Sequence, residues 1–193
     1  MHAEHQASRP PRAHRPWIHS AAVGLGVLIL LSTATSACSA VVAGDTLTAE
    51  VLFVLDGDSL RARIAATPTA PSEERELRLW GIDAPERDQP GADTSRQALK
   101  TLVHGKTTTI HVITVDQFDR LVVHMQVGNI DVNLRQLEHG HAWWFRRFAG
   151  HATAYQAAEA KARSGHLGVW ADEQAEAPWA YRDRLAPVEA QDK

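Results

Sequence analysis

The 193-residue sequence holds a single cysteine, Cys38, so no disulfide can form within the chain. It also lacks a surplus of positive charge, because 20 basic and 23 acidic residues give a formal net charge of −3. The broad basic surface of many nucleic-acid-binding proteins is therefore excluded, and any attraction to a polyanion must be local. The Cys/His spacing of a structural zinc site is absent as well.

Residues 1–40 differ from the rest of the chain. Three arginines, Arg9, Arg12 and Arg15, precede the apolar run AAVGLGVLILL, and a stretch of small residues follows it. This layout is typical of an export signal, and the apolar run is short for a transmembrane helix. A buried core helix is the alternative, which the flanking prolines and arginines disfavour. We therefore expect an exported protein that is extracellular, periplasmic or anchored to a membrane outside the cytoplasm.

Three positions are candidates for cleavage of this signal: before Cys38, after Ala40 or after Ala43. The segment TSAC resembles a lipoprotein signal loosely, although Thr35 stands where that pattern prefers leucine. Lipid on Cys38 or an uncleaved signal would attach the protein to a membrane. We expect a monomer in either case.

Apolar and turn-forming residues in the remaining chain predict five strands and about three helices. Asp56-Gly57 is a strong signal for a hairpin turn, and Thr94 with Gln97 forms a capping-box pattern at a helix start. The predicted strands are 46–55, 58–64, 75–82, 107–115 and 121–127, and the predicted helices are 94–105, 131–140 and 151–165. This pattern predicts an α+β domain, mainly a β barrel, over residues 46–185, with a flexible tail at 186–193. A five-stranded OB-fold barrel is the candidate.

Acidic residues follow two of these predicted strands. Asp58 comes after the hairpin turn, and Asp83 lies near the end of the third strand. If those strands are neighbours, both carboxylates reach one end of the barrel. Together with a backbone carbonyl and water, they would suit a hard cation such as Ca²⁺. Pro85 restricts the backbone of Ala84 and would fix the directions of the Ala84 carbonyl and of Glu86.

Two arginines complete the set of residues that phosphodiester hydrolysis needs. Arg120 follows the second hairpin turn, and a guanidinium binds phosphate through two parallel hydrogen bonds. Arg78 precedes Asp83 by five residues, an odd offset that would place the two on opposite faces of a regular strand. The pattern alone therefore leaves Arg78 in doubt. Each motif by itself is more often an ordinary turn or a solvated residue, and only their order gives them weight.

In order, these motifs resemble the staphylococcal nuclease (thermonuclease) family. The motifs that carry the resemblance are LDGDSL, LRLWGIDAPE, QPG, DQFDR and VNLRQLEHGHAW, with GVW and PWAYR near the end, across roughly residues 47–184. The resemblance implies an OB-fold barrel and a Ca²⁺-dependent endonuclease that cuts DNA and/or RNA with little sequence preference. It implies Asp58, Asp83 and the Ala84 carbonyl as calcium ligands, Glu86 as the general base, and Arg78 and Arg120 as phosphate-binding residues.

The sequence departs from the family pattern around the expected nucleotide pocket. Phe118, Phe145 and Phe148 stand where tyrosines are expected, so ring faces remain for base stacking but the hydroxyl donors are lost. Asp119 replaces a glycine, and the lysine of this turn is absent. Arg146 and Arg147 could compensate as phosphate contacts. These losses leave an alternative open, a catalytically weak or inactive OB-fold module of the same family that binds nucleic acid or protein.

Overall fold

The structure, a computed structural model, describes residues 41–186 of the chain, so the predicted export signal and most of the predicted tail lie outside the described residues. In chain order, the strands and helices before the second hairpin turn are β1 (Thr46–Val54), β2 (Ser59–Ile64), β3 (Glu73–Leu79), β4 (Ile82–Asp83), α1 (Ala92–Val103) and β5 (Thr107–Val115). After that turn come β6 (Leu121–Val127), β7 (Ile130–Asp131), α2 (Val132–Glu138), β8 (Trp143–Trp144), α3 (Arg146–Ala149), α4 (Thr153–Ser164), a 3₁₀ helix (Gly168–Ala171) and α5 (Pro178–Leu185).

Five long strands close into a mixed barrel, as predicted. Strands β1 and β2 form the first hairpin, β5 and β6 form the second, and β1 joins the two hairpins by pairing with β5. Strand β3 pairs antiparallel with β2 on one side and parallel with β6 on the other. The β3–β6 pairing closes the barrel through three residue pairs, of which Arg78–Val122 is the middle one. The α+β fold with an OB-type barrel is thereby confirmed.

The barrel interior is filled by the alternating apolar residues of these strands. Leu60, Leu77, Ile110, Leu121 and Met125 are among the side chains with no exposed surface. In β6 the alternation is regular, since Leu121, Val123 and Met125 are buried while the residues between them are partly exposed. Burying one face of every strand fixes the register, because a slip by one residue would turn that face outward.

The helices differ from the prediction in number and in one start. Five α-helices and one 3₁₀ helix occur within residues 41–186, where about three helices were predicted. The capping box of Thr94 and Gln97 is wrong, because α1 begins at Ala92 without a side-chain cap. Gly91 takes the N-cap position with a φ of 88°. This left-handed backbone suits glycine, and it starts the helix two residues early.

Helix α2 fixes the backbone at the end of the barrel where the acidic residues lie. Its buried Asn133 donates to the carbonyl oxygens of Trp80 at 3.0 Å and Val123 at 3.1 Å. Gln136, also buried, donates to the carbonyl oxygen of Gly57 at 2.7 Å. The helix therefore ties together the hairpin turn before Asp58 and the end of β3. No helix of the described residues is long and apolar enough to cross a membrane.

Candidate active site

The first hairpin turn places Asp58 inside the protein. Asp56 shapes this turn, since its Oδ1 accepts hydrogen bonds from the backbone amides of Asp58 at 2.9 Å and Ser59 at 2.6 Å. Gly57 lies against α1, where an added Cβ would come within 1.8 Å of Ser95 Oγ. Only glycine fits this approach. The result is a carboxylate with no exposed surface at the end of the barrel.

Arg78 and Asp83 lie together because the third predicted strand is broken between them. Strand β3 ends at Leu79, and Gly81 turns the chain with a φ of 74° before β4 begins at Ile82. The break removes the strict alternation that would have placed the two residues on opposite faces. Nη2 of Arg78 donates to Asp83 Oδ1 at 2.7 Å and to the carbonyl oxygen of Ile82 at 3.3 Å.

The same guanidinium joins Asp83 to Asp58. Nη1 of Arg78 donates to Oδ1 of Asp58. Asp58 also accepts a hydrogen bond from Ser59 Oγ at 3.0 Å, and its Oδ2 accepts one from the amide of Ala84 at 2.6 Å. Two buried carboxylates therefore share one arginine at the floor of the site. The hydrogen bond from its backbone amide also places Ala84 beside Asp58.

Burial sets the electrostatics of this pair. It raises the pKa of Asp58 well above the ordinary value, and the charge of Arg78 opposes that rise only in part. Burial also acts to lower the pKa of Arg78, but the charges of Asp58 and Asp83 outweigh it, so the pKa of Arg78 is raised. The arginine thus stays charged, whereas burial disfavours the charged form of Asp58, which further positive charge would stabilise.

Glu86 lies at the edge of the site, with 39% of its side chain exposed. Its partner is Arg182 of α5, whose Nη1 donates to Glu86 Oε1 at 2.5 Å. Nη2 of Arg182 donates to Asp83 Oδ2 at 2.8 Å. Arg182 is therefore a site residue that the sequence pattern did not predict. The only sequence signal for it is its place in the PWAYR motif, whose arginine had no assigned role.

Arg120 lies after the second hairpin turn, where Asp116 orients it. Oδ1 of Asp116 accepts hydrogen bonds from the backbone amides of Phe118 at 2.9 Å and Arg120 at 3.0 Å. Its Oδ2 accepts a hydrogen bond from Arg120 Nε at 2.8 Å. Partial burial acts to raise the pKa of Asp116, but these hydrogen bonds outweigh it and lower the pKa. The guanidinium lies 5.5 Å from the centre of the Phe118 ring.

The substitution of glycine by Asp119 has a structural effect that does not involve the cleft. Asp119 keeps the left-handed backbone that glycine prefers, with a φ of 62°. Its carboxylate pairs with Arg75 at 2.9 Å. The negative charge is thereby balanced outside the site.

Most of these groups line one cleft with a volume of about 910 Å³, whereas Asp83, with 1% of its surface exposed, lies behind the lining and reaches it through its hydrogen bond with Arg78. Asp58, Arg78, Ala84, Glu86 and Arg120 lie on its walls, together with Phe118, Phe145, Arg147, Phe148 and Arg182. Phe118 and Phe148 are 69% and 63% exposed, so both rings face solvent at the cleft. The rings of Phe145 and Phe148 lie 5.2 Å apart.

Arg146, predicted to contact substrate, does not line this cleft. It lies over the Trp144 ring at 4.8 Å and 4.0 Å from the buried Glu159, in a neighbouring pocket of about 650 Å³. Arg147 lines the cleft instead. Successive residues of a helical turn point about 100° apart, and Arg147 lines the neighbouring pocket as well as the cleft.

The acidic residues fit a hard cation through a partial ligand set. No group of three His, Cys, Asp or Glu side chains within residues 41–186 is arranged to hold a metal. Asp58 and Asp83 nevertheless both contact the guanidinium of Arg78, so their side chains lie close together. Both have carboxylate oxygens, the donor type that Ca²⁺ and Mg²⁺ prefer. Backbone carbonyl and water would have to supply the other ligands. This donor set fits a cation that keeps part of its water shell.

The described residues thus combine an OB-type barrel with two buried aspartates, a partly exposed glutamate and two arginines near one cleft. Comparison with known proteins places this arrangement in a family. The model of the family described as staphylococcal nuclease homologue matches residues 76–172, half of the chain. The chain belongs to this family.

Several curated proteins are similar to the chain. A probable staphylococcal-like nuclease of Oryza sativa subsp. japonica is 37% identical over 106 residues, which cover 55% of this chain and 28% of the rice protein. An uncharacterized endonuclease of Haemophilus influenzae is 29% identical over 145 residues, or 75% of this chain and 76% of that protein. Protein ParB of Escherichia coli is 29% identical over 173 residues, which cover 84% of this chain and 89% of that protein. The chain spans only about a quarter of the length of the rice relatives that it matches.

Proposed function

We propose that the protein is a metal-dependent nuclease, an endonuclease that hydrolyses phosphodiester bonds of DNA and/or RNA with little sequence preference, with Ca²⁺ as its cation. One observation carries the proposal: Arg78 joins Asp58, which lines the cleft, to the buried Asp83 behind it, and Glu86 and Arg120 line the same cleft. Membership of a nuclease family supports it.

Each residue of this site has a role in the proposed reaction. Asp58, Asp83 and the Ala84 carbonyl would hold the cation, which when bound polarises the phosphate and neutralises its charge. Arg78 and Arg120 bind the phosphate oxygens, and their charge stabilises the extra negative charge of the transition state. Glu86, the most exposed of the three carboxylates, accepts the proton of the attacking water.

The cleft walls favour a single-stranded segment without regard to sequence. The exposed rings of Phe118 and Phe148 can stack on any base, because every base has a π face. Arg147, which lines the same cleft, adds positive charge for the nucleic-acid backbone. This local positive charge supplies the attraction that the net charge of the whole chain does not.

Nicking of a plasmid and cleavage of a single-stranded RNA by the purified protein test the proposal, with Ca²⁺ and with a chelator. We expect cleavage with Ca²⁺ only. Glu86→Gln should lose activity by roughly 10²–10⁴-fold, the usual contribution of a general base. Glu74→Gln is the matched control, because Glu74 pairs with Arg63 at 3.1 Å on the barrel surface. A fully active Glu86→Gln variant would contradict the assignment of Glu86.

The alternative, an inactive binding module of the same family, has a distinct outcome in the same experiment. Such a module would shift labelled single-stranded DNA or RNA in a binding assay, yet leave it intact at every Ca²⁺ concentration. Retention of the five functional side chains favours the nuclease; they are Asp58, Arg78, Asp83, Glu86 and Arg120.

We also propose that the protein is exported, on the sequence of residues 1–40 alone. Fractionation of expressing cells tests this, and full-length protein confined to the cytosol would contradict it. Release of the protein from membranes by Cys38→Ala would show that Cys38 carries a lipid anchor.

A further inference from the structure

Helix α5 brings a positive charge into the acidic site from outside the family match, which ends at residue 172. The helix begins at Pro178, a position where proline is well suited to the first helical turn. The Trp179 ring lies 5.5 Å from the Phe145 ring, centre to centre, and Tyr181 donates to the carbonyl oxygen of Asp88 at 3.3 Å. These contacts hold α5 against Phe145 and against the loop that follows Asp83.

Arg182 of this helix contacts both Asp83 and Glu86. Its Nη2 lies 2.8 Å from Asp83 Oδ2, and its Nη1 lies 3.3 Å from Asp83 Oδ1 and 2.5 Å from Glu86 Oε1. Burial acts to lower the pKa of Arg182, but the hydrogen bonds to the two carboxylates outweigh this and raise it. One guanidinium thus joins the proposed cation ligand to the proposed general base.

A cation on Asp83 would compete with this contact. A metal ion bound to Asp83 Oδ2 would use the same oxygen lone pairs that accept from Arg182, and it would place like charge beside the guanidinium. Arg78 is 22% exposed at its side chain, whereas Arg182 is 44% exposed. Arg182 is therefore the arginine that can leave Asp83 into solvent, while Arg78 stays enclosed.

We propose that Arg182 is the internal counter-cation of the site, which binds Asp83 and Glu86 in the metal-free protein and must leave Asp83 when a divalent cation binds. This inference rests on the proposed function only in that Asp83 binds a cation. Arg182 thereby sets the affinity for the cation, and it holds Glu86 beside the acidic pair until the cation arrives. It is a positioning residue, not a catalytic one.

Calorimetric titration of Ca²⁺ into the full chain tests this without reference to activity. Arg182→Gln should lower the dissociation constant for Ca²⁺ by about tenfold, the scale of one hydrogen bond to a charged group. The dissociation constant of Arg182→Lys should lie between those of Arg182→Gln and wild type, because lysine keeps the charge but loses the planar guanidinium. Arg184→Gln is the matched control on the same helix, since Arg184 pairs with Glu176 at 2.8 Å, and should bind like wild type.

Thermal unfolding supplies a second readout. In chelator, Arg182→Gln should unfold at a lower temperature than wild type, because Asp83 and Glu86 lose a hydrogen-bonding partner. With saturating Ca²⁺ the two should converge, so that the rise in Tm caused by Ca²⁺ is larger in the variant. If Arg182→Gln does not fold, Arg182→Lys and the change in the Arg182 Nε–H resonance of the wild type on adding Ca²⁺ give the same test.

The outcomes separate this inference from the proposed function. Wild type and Arg182→Gln with equal Ca²⁺ affinity, or weaker binding by the variant, would overturn the counter-cation role and leave the nuclease proposal intact. No Ca²⁺ binding by either protein would overturn both the inference and the cation assignment. An Arg182 resonance unchanged by saturating Ca²⁺ would also overturn the inference.

Discussion

Replacing Arg78 by methionine should destabilise the metal-free protein because it leaves a buried charge without its arginine. Asp58 has no exposed surface, and Arg78 provides its only guanidinium within the described residues. Removing one partner of a buried ion pair costs about 3–5 kcal/mol. Ser59 and the Ala84 amide still donate to Asp58, and Arg182 still pairs with Asp83, so we expect the lower end, about 3 kcal/mol.

For a domain of this size, that loss corresponds to a fall in Tm of roughly 6–12 °C. Unfolding followed by tryptophan fluorescence in chelator measures it. Arg61→Met is the control, because Arg61 lies 4.0 Å from Glu76 with 46% of its side chain exposed. That exposed pair is worth at most about 1 kcal/mol.

A double-mutant cycle identifies the cause. Asp58→Asn combined with Arg78→Met should recover most of the lost stability, because no unpaired buried carboxylate remains. If Arg78→Met unfolds at the same temperature as Arg61→Met, the charge of Asp58 is balanced by other groups, and the electrostatic description of the site is refuted.

Two further predictions concern the cleft wall and the pH dependence. Phe118→Tyr adds a hydrogen-bond donor beside Arg120 and should strengthen the binding of a nucleotide 3′,5′-bisphosphate about tenfold, measured by calorimetric titration with Ca²⁺ present. Unchanged affinity would mean that this turn does not face the phosphate. Burial lowers the pKa of His124, so the unfolded state binds more protons and the free energy of unfolding falls as pH drops below about 6.5. His124→Gln should flatten that loss in denaturant titrations at several pH values, and an unchanged slope would refute it.

The barrel was predictable because its signals are local. The Asp56-Gly57 turn, the alternation in β6 and the turn before Arg120 each lie within a few residues, and they set two hairpins that the structure contains. The start of α1 was not predictable from the capping pattern. It depends on the left-handed backbone of Gly91, which the sequence around Thr94 does not reveal.

The site was predictable only in part. The position of Arg78 beside Asp83 depends on the break at Gly81, which a strand pattern hides. Arg182 lies far from Asp83 in sequence, on a short helix without a clear apolar face, so no local pattern connects them. Resemblance predicts the roles of Asp58, Asp83 and Glu86, whereas Arg182 reaches Asp83 only because α5 packs beside the site.

The seam between β3 and β6 has a consequence for when the site can exist. Its three residue pairs join segments far apart in the chain, and the middle pair contains Arg78. Contacts between distant segments cannot form until both segments have been synthesised, and closing the long loop between them costs entropy, so a growing polypeptide that ends before Leu121 cannot close the barrel. If the chain crosses a membrane unfolded, the arginines and carboxylates remain scattered until it arrives. The cell that makes the protein is then not exposed to an assembled cleft.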